Sequence, residues 1–205
     1  MGTCKEDLHL QRKLLKWLLA YKGAANHRPI DKYQPHPKQE AFHKCPLPIR
    51  MLAGANRSGK SMGGMAEDVW TSSGTHPYLA VTVPNKGWIC GPDFNNWASS
   101  TMIPKWVDMV PKDMIAEKHK NERGIETKWK LKNGSTVEFR SYDQDPSSFE
   151  SADIDWVHFD EPPPRQVFEA AYRGLTDRGG KVWFTMTPIA EPWIFRNMWL
   201  PGLTA

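Results

Sequence analysis

The polarity of this chain changes period along its length, and each change marks an element. Between 5 and 22, Leu8, Leu15, Trp17, Leu18 and Leu19 recur at near-helical spacing among charged residues, which predicts an amphipathic helix. The stretch 24–37 is polar and holds Pro29, Pro35 and Pro37, so an extended connector is expected there. Pro37 to Phe42 reads as the opening of a short helix, and the mostly apolar run Ile49 to Ala53 as a strand. Ser61 to Trp70 has the pattern of a helix, Gly74 to Pro84 that of a turn-rich loop, and Lys86 to Gly91 that of a second strand.

Asn95 to Met109 is helical in part, with Pro104 expected to kink or end it. Thr127 to Leu131 and Ser135 to Ser141 alternate about Asn133-Gly134, the strongest hairpin signal in the chain. A polar, turn-forming stretch, Asp143 to Ser151, leads into an apolar strand from Asp155 to Phe159. Pro162-Pro163-Pro164 stops that strand, a helix follows over 165–175, and Gly179-Gly180 turns into a last strand from Lys181 to Met186. Strands alternating with helices predict an α/β fold with a mostly parallel sheet, right-handed crossovers and an inserted β-hairpin. The expected organisation is an N-terminal helix and connector over 1–36 and one domain over 37–205.

With 40% hydrophobic and 24% charged residues, the 205-residue chain has the composition of a globular protein. No apolar run approaches the roughly 20 residues that span a membrane. Lys5, Glu6 and Asp7 interrupt the start, which is unlike a secretory signal, so a cytosolic protein is expected. Cys4, Cys45 and Cys90 are scattered and lack metal-binding or disulfide spacing. The net charge of +4 permits a nucleic-acid partner without requiring one. Lys112, Lys118, Lys120, Arg123, Lys128, Lys130 and Lys132 gather positive charge around Trp129, either a track for a phosphate backbone or the solvated face of the hairpin.

Candidate chemistry begins where the first strand meets the next helix. Gly54-Ala55-Asn56-Arg57-Ser58-Gly59-Lys60-Ser61 fits the phosphate-loop pattern G-x-x-x-x-G-K-[ST]. Gly54 and Gly59 allow a tight turn whose N–H groups approach phosphate oxygens. Lys60 supplies a point charge, Ser61 a hydroxyl for Mg²⁺, and the following helix aims its positive end at the nucleotide. Downstream, Asp155-Trp156-Val157-His158-Phe159-Asp160-Glu161 is a short buried-type strand ending on two carboxylates. Asp160 is placed to hold the metal, and Glu161 to orient and deprotonate an attacking water, so the pair points to hydrolysis. Gln39, just upstream of the phosphate loop, can read an adenine edge because an amide both donates and accepts.

These motifs, in order with Asn133-Gly134-Ser135, Phe139, Ser141, the run Phe149 to Trp156 and Thr187-Pro188, resemble the ATPase domain of the large terminase subunit of tailed bacteriophages. The likeness runs from about Gln39 to Pro188. It implies a P-loop NTPase of the additional-strand, catalytic-glutamate type, RecA- and helicase-like, that uses ATP and Mg²⁺ to drive double-stranded DNA into a preformed capsid. By that likeness Gln39 contacts adenine, Arg57 senses the γ-phosphate, Asp160 and Glu161 are metal carboxylate and base, and Thr187 belongs to the motif coupling nucleotide state to DNA grip. It also implies a homo-oligomeric ring with the portal and small terminase subunit as partners, in the cytoplasm of an infected host and transiently at the portal. Arg165, Arg173 and Arg178 are candidates to complete a neighbour's site.

Two departures accompany the likeness. The family usually carries a nuclease domain after the ATPase, whereas residues 189–205 hold only one carboxylate, Glu191, so an isolated ATPase domain, a shortened chain or one half of a split subunit, without nuclease activity, is expected. An Arg-Gly pair often precedes the acidic strand; here Phe149-Glu150-Ser151-Ala152 stands there. Other readings remain: a helicase or recombination translocase, a small-molecule kinase, or a nucleotide-binding module that hydrolyses nothing. Glu161 argues against the kinase, and Asn85-Lys86-Gly87-Trp88 lacks the aspartate of a guanine-reading motif.

Overall fold

A computed structural model describes residues 29–150, 153–176, 178–187 and 192–199, besides Lys13. The amphipathic helix expected over 5–22 lies outside the described residues, Lys13 excepted. From Pro29 onward the elements are a 3-10 turn, α1 (Pro37–Lys44), β1 (Ile49–Ala53), α2 (Lys60–Ser73), β2 (Lys86–Gly91) and a π-helix (Phe94–Met102) running into α3 (Ile103–Met109). Then come β3 (Ile115–Lys120), β4 (Glu126–Leu131), β5 (Thr136–Ser141), β6 (Trp156–Asp160), α4 (Arg165–Thr176) and β7 (Lys181–Met186).

The seven strands form one sheet in the order β1-β7-β6-β2-β5-β4-β3. The first five are mutually parallel, and β4 and β3 add antiparallel pairs at the far edge. β7 therefore stands between the strand leading into the phosphate loop and the strand bearing the carboxylates, the additional-strand arrangement. The hairpin turns at Asn133-Gly134 as expected, with Gly134 at φ +88°, a conformation glycine adopts without penalty. Its second strand, β5, is itself a parallel partner of β2, so the hairpin extends the main sheet.

Alternation along β6 and β7 sorts their side chains onto two faces. Trp156, His158 and Asp160, with Trp183 and Thr185, face α2, where Met65, Ala66, Val69 and Trp70 pack together with Trp97, Trp106 and Trp129. Val157, Phe159, Val182, Phe184 and Met186 face α4, covered by Val167, Phe168, Ala171 and Leu175. Helix α2 approaches closely at Gly64, where a Cβ would lie 2.4 Å from His158 Cε1 and 2.7 Å from Thr185 Cγ2.

Two expectations are revised, and one left open between two readings is decided. Pro104 does not end the helical run: it falls in the first turn of α3, at the point where π-type bonding (Ile103 N–H to Ala98 O) gives way to α. The acidic strand begins at Trp156, one residue later than expected. Asp155 instead accepts bonds from the Lys86 N–H (2.7 Å) and the Arg178 guanidinium (2.6 Å) below the sheet. Trp129 is fully buried, and Lys118, Lys128 and Lys130 pair with Glu126, Glu138 and Glu117, so these lysines form a mixed-charge solvated face.

Candidate active site

The phosphate loop leaves the carboxyl end of β1 and enters α2, at the rim where β6 and β7 also end. Gly59 takes φ +82° at the mouth of α2, and its carbonyl accepts a 2.9 Å bond from Gln39 Nε2. Gln39 is buried, and its Oε1 accepts the His36 N–H at 3.0 Å, so α1 braces the loop through one amide. Lys60 is buried at the start of α2, with Nζ donating to Ala55 O within the loop at 2.9 Å. Ala55, Asn56, Arg57 and Ser58 are exposed at the tip, and Ser61 is half-buried in the first helical turn.

Asp160 and Glu161, adjacent in sequence, are held differently. Asp160 is buried; its Oδ1 accepts from the Thr185 hydroxyl at 2.6 Å and its Oδ2 from Trp97 Nε1 at 2.8 Å. Glu161 lies just past the strand with φ +71°, and Arg57 has φ +63°; they are the two non-glycine residues with positive φ among the described residues. Such a conformation costs about 1–3 kcal/mol and persists only where neighbours enforce it, which is common at functional sites. Burial raises the Glu161 pKa above the ordinary carboxylate value, Asp160 adds to the rise, and the Thr187 N–H and Lys60 charge oppose it.

Thr187, after β7, joins the two halves of the site. Its N–H donates to Glu161 Oε2 at 3.3 Å, and its hydroxyl is shared between Gly54 O (3.4 Å) and Asn56 Oδ1 (3.3 Å). The structure thus brings the phosphate loop, Gln39, Asp160, Glu161 and Thr187 to one rim. Of the three candidate arginines, Arg165 pairs with Glu169 and Arg173 with Glu150. Arg178 pairs with Asp153 and Asp155 at the opposite ends of the strands, away from the phosphate loop.

A chain of buried groups lies behind Asp160 that sequence reasoning missed. Thr185 Oγ1 is 2.7 Å from His158 Nε2, His158 Nδ1 is 2.7 Å from Asp68 Oδ2, and Trp183 Nε1 donates to Asp68 Oδ1 at 2.9 Å. Burial pushes the Asp68 pKa up to about 6 against the pull of His158 and Trp183. Burial also works against charge on His158, but Asp68 outweighs it and the His158 pKa is raised. Asp68 sits four residues after Gly64 on the same face of α2, and period-two alternation places His158 and Thr185 beneath it. The sequence signal available was that alternation, a His two positions before Asp160.

As a metal site the rim offers the Ser61 hydroxyl and the Asp160 carboxylate, hard oxygen donors of the kind that suit Mg²⁺ when water and phosphate complete its shell. Among the described residues no three His, Cys, Asp or Glu side chains gather to hold a metal by themselves, and both Asp160 oxygens already accept bonds from Thr185 and Trp97, so this pair fits a magnesium–nucleotide better than a free-standing metal centre. Among the described residues no helix is long and apolar enough to cross a membrane.

No protein-family model matches the sequence, and no curated protein does. Solved structures share the fold. The large terminase ATPase domain of Thermus phage P74-26 superposes with a TM-score of 0.62 at 21% identity, over 83% of this chain and 74% of that one. The large terminase of the thermophilic bacteriophage D6E, solved in complex with ADP, gives 0.60 at 17% identity over 82% of this chain and 42% of its own. The HK97 bacteriophage large terminase gives 0.57 at 12%, over 76% and 33% respectively. The fold is thus that of P-loop ATPase domains of phage large terminases, and this chain spans less than half of the D6E and HK97 proteins.

Proposed function

We propose that this chain is the ATP-hydrolysing motor domain of a large terminase, driving double-stranded DNA into a procapsid. The observation that carries the reading is the arrangement of phosphate loop, Asp160, Glu161 and Thr187 on one rim, with β7 between the strands that deliver them, on a fold shared with terminase ATPase domains. The ADP bound to the D6E terminase supports a nucleotide ligand.

The backbone N–H groups from Gly54 to Ser61 and the N-terminus of α2 receive the phosphates. Lys60 and Arg57 offset charge that develops on the γ-phosphoryl group, Arg57 from the exposed tip of the loop. Ser61 and Asp160 are the residues that would hold Mg²⁺, which would supply charge neutralisation for the phosphoryl group being transferred. Glu161 accepts the proton of the attacking water; its raised pKa brings it nearer the working pH of a general base. Gln39, whose amide braces Gly59, is the candidate contact for the adenine. Thr187, bonded to both the loop and Glu161, changes partners as the phosphate leaves and so passes the nucleotide state onward.

The assembled motor is a homo-oligomeric ring on duplex DNA, with portal and small subunit as partners, in the host cytoplasm and absent from the mature virion. Phosphate release measured with duplex and with single-stranded DNA tests the choice of motor. Stimulation by duplex without strand separation is expected, whereas stimulation by single strands with unwinding replaces this reading with a helicase.

A further inference from the structure

We propose that Tyr142 is a positioning residue for the base Glu161: its hydroxyl holds the Glu161 main chain in the left-handed conformation that presents the carboxylate to the reaction. The inference rests on the proposed role of Glu161. At φ +71° the Glu161 Cβ crowds the following carbonyl, so the conformation must be enforced from outside. Three hydrogen bonds enforce it. The Glu161 N–H donates to Thr185 O at 2.9 Å, Glu161 Oε2 accepts the Thr187 N–H at 3.3 Å, and Glu161 O accepts the Tyr142 hydroxyl at 2.7 Å.

The first two come from β7 and its exit. The third comes from the other side of β6, from the residue after β5, reaching across the end of β2. Tyr142 is fixed for that reach by its own N–H, which donates to Gly91 O at 2.8 Å, and by its ring, which packs against Phe159 with centroids 6.3 Å apart. The hydroxyl also lies 3.2 Å from Cys90 O and 3.5 Å from Asp160 O, but its single proton serves the nearest acceptor. Burial, with Cys90, Asp160 and Glu161 nearby, raises the Tyr142 pKa well above that of a free phenol, so it remains a donor. Loss of this bond frees the Glu161 carbonyl, the one end of that residue that β7 does not hold.

Tyr142→Phe keeps the ring and its packing and deletes only the hydroxyl. The expected result is a fall in kcat for phosphate release of roughly ten- to a hundredfold, the cost of a base misplaced by a fraction of an ångström to an ångström. The dissociation constant for ATP and the thermal midpoint should stay close to the parent's. In a Glu161→Gln background the same change should cost nothing more, because both act through one group. Amide hydrogen exchange of the peptide over 159–162 should quicken. An unchanged kcat, or an equal further loss in the Glu161→Gln background, overturns the proposal. Should the unmodified protein release no phosphate, the function proposed above fails, and hydrogen exchange judges the contact alone: no change rejects the brace, and faster exchange leaves it structural without a catalytic role.

Discussion

Glu161 ionises against its surroundings, and that has opposite consequences for catalysis and for stability. Burial and Asp160 raise its pKa above 4.5, so the folded protein holds this proton more tightly than the unfolded chain. The resulting stabilisation is complete below the unfolded value and lost as pH rises through the folded one. A base, however, works only when ionised. ATP turnover should therefore climb with pH through the raised Glu161 pKa, and a pH–rate profile of kcat checks it. Glu161→Gln, which cannot ionise, should melt higher than the parent at pH 8 and no higher at pH 4, as thermal unfolding at both values would show. Equal melting shifts at the two pH values would contradict the assigned cause.

Helix α2 sets the site at the scale of elements, because the turn that presents Lys60 continues into the face that covers His158 and Thr185. Gly64→Ala places a methyl within 2.4–2.7 Å of both side chains. Overpacking of this kind costs about 1–3 kcal/mol, measurable in denaturant unfolding, and here it should also weaken nucleotide binding by displacing the phosphate loop. An alanine variant as stable as the parent would refute the close approach. The strands β1, β2 and β7 were legible to the residue, since short apolar runs with glycine or proline at their ends have few other readings. β3 was not, because five of its six residues are exposed and it carries no alternation, its pairing with β4 being set by the hairpin geometry. The π-helix was invisible for a similar reason: no side-chain pattern distinguishes it from an α-turn before the chain is packed. Phosphate loop, Asp160 and Glu161 could be read from spacing, whereas Tyr142, Thr185 and Asp68 reach the site from elements remote in sequence.

The whole molecule is pinned on the α1 side by Glu67, fully buried beside Asp68. Its Oε1 accepts from Arg50 at 2.5 Å and His76 at 3.1 Å, and its Oε2 from His43 at 2.7 Å, tying β1, α1 and the loop after α2 together. Burial alone would raise the Glu67 pKa, but bonds from His43 and His76 and the Arg50 charge outweigh it and hold it far below the usual range. Removing one member leaves a buried charge uncompensated, so Glu67→Ala should cost about 3–5 kcal/mol by urea unfolding. A loss under 1 kcal/mol would mean the cluster is not closed in solution.

At the same scale, the proposed function requires one rim to work as one catalytic unit. Phosphate release and ATP binding measured side by side on the parent, Lys60→Ala and Glu161→Gln test it most directly. The prediction is that the parent binds and hydrolyses MgATP, Lys60→Ala loses both, and Glu161→Gln binds ATP normally while releasing phosphate at least a hundredfold more slowly, in the ~10²–10⁴ range expected for loss of a general base. Phosphate release by Glu161→Gln at the parent's rate would contradict it.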